Sequence, residues 1–136
     1  MATYTELVDE IYAEFASTAW TDNGINAYPA DYNGKKDSNE YVTISIILGS
    51  SERQFGGGKG PQSGLLYCEI YTQTGEGQKA PMRIADALDT LLENKFLACG
   101  AEFHTSYLGI PSIDQGNVAL SRTEYTISFE TYGTRN

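Results

Sequence analysis

Leu65-Leu66-Tyr67-Cys68-Glu69-Ile70-Tyr71, the turn Thr74-Gly75-Glu76-Gly77 and the run from Ala80 to Phe96 decide how this chain folds. In the first stretch Leu66, Cys68 and Ile70 alternate with Tyr67, Glu69 and Tyr71, the period of a strand with one buried face. In the last, Ile84, Ala85, Leu88, Leu91 and Leu92 recur at helical spacing and form one apolar stripe. Pro81 suits the first turn of that helix, where its missing amide has no helical partner to lose. Gly100, just after Cys99, is placed for a helix stop. The middle of the chain therefore reads as strand, tight turn, helix.

Upstream, Gly49 to Gly64 holds six glycines and reads as a long loop. Before it, Val42, Ile44, Ile46 and Leu48 alternate with Tyr41, Thr43, Ser45 and Ile47, so Glu40 to Leu48 is a strand with one strongly apolar face. Two strands around a glycine-rich loop form an antiparallel hairpin. Further back, Leu7, Val8, Ile11, Tyr12 and Phe15 mark a helix from about Thr3 to Ala19, with Thr3 and Glu6 at capping-box spacing. Trp20 to Gly24 reads as a stop and turn, Ile25 to Tyr28 as an edge strand ending at Pro29, and Asp31 to Asn39 as a loop. Downstream, Ala101 to Leu108 is a strand and Gly109-Ile110-Pro111 a turn. Val118 to Thr131 is a closing strand with Tyr125, Ile127 and Phe129 on one face. Val118 and Leu120 have the opposite parity, which predicts a bulge near Arg122. The sum is one α+β domain over residues 1–136, a mostly antiparallel sheet with two helices packed on it and a long Gly-rich hairpin loop.

Charge restricts the partners. The 136 residues carry a formal net charge of −9, and their nine basic residues are scattered, Lys35-Lys36 being the one short pairing. Nonspecific nucleic-acid binding needs clustered cations to displace counterions, so DNA binding and adhesion to an anionic membrane are both disfavoured. No apolar run approaches a membrane span, and the N-terminus lacks a signal-peptide pattern. Cys68 and Cys99 form no CxxC or disulfide framework and read as small buried hydrophobes, compatible with a reducing cytosol.

Candidate chemistry is thin. Gly75-x-Gly77-x-x-Ala80 follows a strand and opens a helix, as a dinucleotide fingerprint does. A hairpin precedes it, however, and there is no room for the second half of such a fold. Gly56-Gly57-Gly58-Lys59-Gly60 lacks the first glycine and the hydroxyl of a P-loop, and a strand follows it. His104 is the single histidine, which excludes zinc sites built on several imidazoles. No nucleophile elbow surrounds any serine. Asp86, Asp89 and Glu93 read as a solvated helix face. The polar strand positions Thr43, Ser45, Tyr67, Glu69, Tyr71, Thr126, Ser128 and Glu130 are compatible with plain exposure or with an assembly surface, since tyrosine buries a large area at low entropic cost.

The order of elements resembles the tail terminator and tail-completion proteins of long-tailed bacteriophages. The resemblance is carried by "TELVDEIYAEF" (5–15), "YVTISIIL" (41–48), the variable Gly-rich loop and "GLLYCEIYT" (64–72). It continues through "GEGQKA" (75–80), "RIADALDTLLE" (83–93) and "EYTISFETYG" (124–133). It implies a non-enzymatic virion protein without cofactor or metal. Such a protein is made in the host bacterial cytoplasm and sits at the head-proximal end of the tail. It would form a homo-hexameric ring that caps the tail tube, stops its growth and presents a surface for the head. Its partners would be its own copies, the major tail tube protein and a head-completion or neck protein, with DNA passing through the ring unbound. Arg53, Gln54, Phe55 and Lys59 in the loop, with Tyr67 and Tyr71 on the strand, are the expected assembly contacts. A neck or head-completion subunit is the alternative, followed by a small nucleotide-binding enzyme using the Gly75-Gly77 turn.

Overall fold

Hydrophobic periodicity sorts the chain into a helical layer and a sheet. The computed structural model describes residues 4–32, 34, 40–53, 59–75, 77–98, 100–109, 112–113 and 120–131. The elements are α1 (Tyr4–Ala16), α2 (Thr18–Thr21), β1 (Asn26–Pro29), β2 (Tyr41–Arg53), β3 (Lys59–Gln73), α3 (Lys79–Leu92), β4 (Ala101–Leu108), β5 (Ser112–Ile113) and β6 (Leu120–Thr131). The sheet order is β1-β2-β3-β6-β4, with β5 also paired to β6. Among the described residues only β1–β2 is parallel, and the other pairings are antiparallel. The α+β class and the mostly antiparallel sheet agree with the sequence reading.

Leu7, Ile11 and Phe15 of α1, Trp20 of α2 and Ile84, Leu88 and Leu92 of α3 share one core. Their sheet partners are Val42, Ile44, Leu66, Cys68, Ile70, Tyr125, Ile127 and Phe129. These sheet residues all have the same parity in register, so the helices cover one face of the sheet. Tyr125 reaches through this layer to donate a hydrogen bond to Asp89 of α3 at 2.6 Å. Asp89 is therefore not part of a purely solvated helix face; it receives a buried tyrosine.

Four local expectations change. The segment Gly49 to Gly64 is not a free loop: β2 runs to Arg53 and β3 begins at Lys59, with register irregularities after Leu48 and Ser51. Backbone pairing continues past Leu48 through Ser51↔Gln62 and Arg53↔Lys59. Trp20 belongs to α2 and is buried against Phe15, ring centroids 5.2 Å apart, because α1 breaks at Ser17 and turns its last aromatic inward. Helix α3 ends at Leu92, with Asn94 at φ +60°. Gly100, at φ +97°, instead turns the chain so that Leu97 N–H donates to Ala101 O at 2.7 Å. Finally, β6 has no bulge against β3, whose register is continuous from Gln62↔Thr131 to Gln73↔Leu120. The irregularity falls in β4, between Phe103 and Ser106.

One glycine is required by packing. A Cβ on Gly64 would lie 2.5 Å from Phe129 Cζ and 2.7 Å from Ile47 O, so the Phe129 ring occupies the space of the missing side chain. That ring packs edge-on against Phe103 at 5.6 Å and closes this end of the core.

Candidate assembly face

The opposite parity of the same strands builds the other face of the sheet, on which no described helix packs. Register aligns it in rows across β2, β3 and β6: Tyr41–Tyr71–Arg122, Thr43–Glu69–Glu124, Ser45–Tyr67–Thr126 and Ile47–Leu65–Ser128. The eight polar positions singled out from the sequence all lie on this face, including Tyr67 and Tyr71. What the sequence reading missed is the company they keep. Tyr41 and Ile47, already on this parity of β2 in the sequence reading, share the face with Tyr28, Leu65 and Arg122, which strict two-residue alternation could have added.

At one end is a tyrosine ladder. Tyr41 and Tyr71 stack at 4.6 Å, Tyr28 meets Tyr41 edge-on at 5.8 Å, and Tyr28 stacks on Tyr32 at 4.9 Å. Beside it, Arg122 pairs with Glu69 at 2.8 Å and approaches Glu124 at 3.8 Å. Glu69 also accepts from the Thr43 hydroxyl at 3.4 Å. The negative charge of Glu69 pulls the Arg122 guanidinium further toward its charged form. Partial burial, aided by its hydrogen bond to Glu124, pushes the Tyr67 hydroxyl up to about 12. These groups stabilise one another's geometry and leave a flat, polar, aromatic surface.

At the other end the face becomes concave. A groove of about 360 Å³ is lined by Ile47, Leu65, His104 and Glu130, with Gly64 and Phe129 among its other walls. Ile47 and Leu65, in register with each other, are 50% and 39% exposed. His104 Nε2 sits 4.0 Å from Glu102 and 3.9 Å from Glu130. Among the described residues of its lining there is no lysine or arginine.

The remaining expected contacts lie along the hairpin. Arg53 closes β2 directly opposite Lys59, the first residue of β3. Gln54 and Phe55 lie outside the described residues. The chain turns from β3 into α3 at Gly75 (φ +91°) and Gly77 (φ +77°), a backbone conformation that glycine adopts without strain. Both neighbours of β3 are antiparallel to it, so this turn lacks the adjacent parallel strand that makes a dinucleotide crevice. Lys59 begins a strand, not the helix a P-loop requires. Cys68 is buried on the helical side, where desolvation pushes its thiol up and away from nucleophilic use. Cys99 lies outside the described residues. Among the described residues, no three His, Cys, Asp or Glu side chains converge as a metal site would need. No described helix is long and apolar enough to cross a membrane.

No known protein family and no curated protein matches the chain. Solved structures do. One, which carries no functional name, superposes with a TM-score of 0.66 over 94% of this chain and 97% of its own, at 14% identity. Another is a chain from the virion of a native gene transfer agent particle, with a TM-score of 0.63 over 92% and 93%, at 13% identity. At these identities the superpositions show a shared fold along nearly the whole length and nothing beyond the fold.

Proposed function

We propose that this chain is a structural virion protein whose copies form a ring, a homo-hexamer, that caps the tail tube. The ring ends tail polymerisation and offers the head its attachment surface. The observation that carries the reading is the end-to-end likeness to a chain of a gene transfer agent virion, covering 92% of this chain and 93% of that one. The element order, which resembles that of tail terminators, supports a place at the tail end. The sheet face left open by the helices, rich in tyrosine and flanked by a long hairpin, is the kind of surface an assembly protein needs.

The acidic balance suits the role. With a net charge of −9, a ring repels the phosphate backbone, so DNA passes through its lumen without being held. The partners in this reading are other copies of the chain, the major tail tube protein and a head-completion protein. It uses no cofactor and performs no catalysis, and its place is the head-proximal end of the tail.

Electron microscopy of the purified chain, alone and mixed with tail tubes assembled without it, tests the reading. Rings seated at one end of tubes of arrested length are the expected result. Tubes that keep growing in its presence, with no density at either end, overturn it. Density at the portal of tail-free heads would instead select the neck subunit.

A further inference from the structure

We infer that copies of this chain join edge to edge, the β4 edge bearing Tyr107 and Leu108 of one copy packing into the apolar trough between α1 and β1 of the next. The inference rests on the ring reading above and supplies the contact that would build it. Strands β1 and β4 are the two ends of the sheet. Among the described residues, neither has a strand neighbour on its outer side, apart from the Phe96 bridge to Glu102 at the start of β4. An uncovered edge of this kind is a template for another chain.

Apolar side chains make the two edges complementary. Phe96, Tyr107 and Leu108 lie along the β4 edge and are 59%, 69% and 41% exposed. At the β1 edge, Tyr12, Phe15, Ala16, Ala27, Pro29 and Ile44 line a trough of about 230 Å³. Phe15 and Ile44 are buried while Tyr12 and Ala16 are exposed, so the trough opens to solvent along α1. An apolar cavity of about 150 Å³ holds a benzene ring, so this one takes a single leucine or aromatic side chain. Seating Leu108 there removes apolar area from water on both copies. A single chain carries both halves of the match, which makes a second copy the occupant.

Register sets the two edges at one level. Pro29, Ile44, Cys68, Tyr125 and Leu108 form one row across the sheet, on the parity that faces the helices. The trough and Leu108 are therefore the two ends of that row. Tyr107 belongs to the next row, Ser45–Tyr67–Thr126, on the open parity. That row runs past the end of β1, where Tyr32 stacks on Tyr28. A neighbour set in line with the rows brings Leu108 to the trough and Tyr107 to the Tyr28–Tyr32 pair. One chain cannot do this by itself, because four strand spacings, roughly 19 Å, separate the ends. A contact between opposite edges is heterologous: it repeats from copy to copy and closes into a ring when the rotation allows.

Sedimentation of the full chain, with tail tubes as a second readout, tests this. An edge variant (Tyr107→Lys with Leu108→Lys) and a trough variant (Ala16→Arg) both lower the net negative charge, so weaker assembly cannot come from added self-repulsion. Each should associate at least about tenfold more weakly than the wild type. Both alter exposed side chains and should melt like the wild type; Leu108→Ser or Ala16→Gln replaces a variant that does not. Mixed one to one, they should form a dimer and nothing larger, because one intact edge and one intact trough remain to meet. Variants that assemble like the wild type overturn the contact and leave the ring reading standing. A mixture that stays monomeric, or that rebuilds wild-type assemblies, overturns the edge-to-edge geometry. Added salt should tighten wild-type association, since it screens the repulsion between acidic chains and leaves an apolar contact intact. Loosening would mean that charge pairs carry the contact, and would overturn it. Where the wild type assembles only on tail tubes, either variant that still caps them overturns the contact. A wild type that never assembles, alone or at tail ends, overturns the ring reading and this inference with it.

Discussion

The two faces of the sheet are built from the same strands, residue by alternate residue, and differ in everything except backbone. On β3 the even positions Leu66, Cys68 and Ile70 are wholly buried under the helices. The odd positions Leu65, Tyr67, Glu69 and Tyr71 face the other way, half-buried or exposed. One face is aliphatic and covered. The other mixes tyrosine, hydroxyl, carboxylate and one guanidinium, and its apolar members are clustered at a groove. Stability and recognition have thus been divided between parities of one strand, so substitutions on the two sides should fail in different ways.

The covered face should show the largest effects. Leu88 in α3 and Ile70 in β3 are fully buried and face each other's layer. Truncating either to alanine removes buried methyl groups and leaves a cavity that a close-packed core only partly collapses. Equilibrium urea unfolding of Leu88→Ala or Ile70→Ala should show a loss of about 2–5 kcal/mol. A loss under about 1 kcal/mol for both would mean that this face is not the principal core.

The polar tie across the core comes next. Tyr125 donates to Asp89 at 2.6 Å, and Tyr125→Phe removes that donor, at a cost of about 1–3 kcal/mol for a bond to a carboxylate. It also has a pH signature. Burial, then the bond to Asp89, holds the Tyr125 hydroxyl well above the ordinary tyrosine range. A raised pKa means that the folded chain keeps a proton the unfolded chain releases. This contribution is complete below about pH 10, the unfolded value, and is lost as pH rises toward the folded one. The melting temperature of the wild type should therefore fall more steeply above pH 10 than that of Tyr125→Phe. The variant should retain a shallower decline, to which Tyr67, pushed up to about 12, contributes. Parallel curves for the two proteins would show that the hydroxyl does not carry the linkage.

Periodicity made most of the covered face legible. Strong apolar stripes located β4 over its whole length and the start of β2, the end of β3 and the start of α3 to within a residue, because each stripe has a single period and a single buried side. Beyond the end of α3 and the bulge expected in β6, three things escaped. Strand pairing through Ser51 and Arg53 depends on backbone hydrogen bonds, which any side chain can accompany, so composition alone read a loop. Trp20 looked like turn material because it precedes Thr21-Asp22-Asn23-Gly24, whereas a break at Ser17 delivers it to the core. Asp89 looked solvated because its partner, Tyr125, lies 36 residues away in sequence. The candidate face was legible as a set of polar positions, but not as a surface. Its rows exist only through the register of β2, β3 and β6, and its groove only because Gly64 admits Phe129.

The smallest effect should come from the open face itself, at Arg122 and Glu69. Their 2.8 Å contact is the shortest ion pair on that face among the described residues, and Glu69 is further held by Thr43. Short distance alone does not make it strong. Arg122 remains more than a third exposed, so water and salt screen the attraction, and both side chains give up rotamer freedom to form it. A double-mutant cycle of Arg122→Met and Glu69→Gln in the unassembled chain should return a coupling of about 0.2–1 kcal/mol, decreasing with added salt. Arg122 lies in the row that begins with the Tyr41–Tyr71 stack, and Glu69 in the row beside it. If these rows form an assembly contact, the variants should impair association far more than folding. A coupling above about 2 kcal/mol that ignores salt would break the comparison. It would mean that the face is already desolvated within a single copy, and that its polar network belongs to the fold and not to a partner.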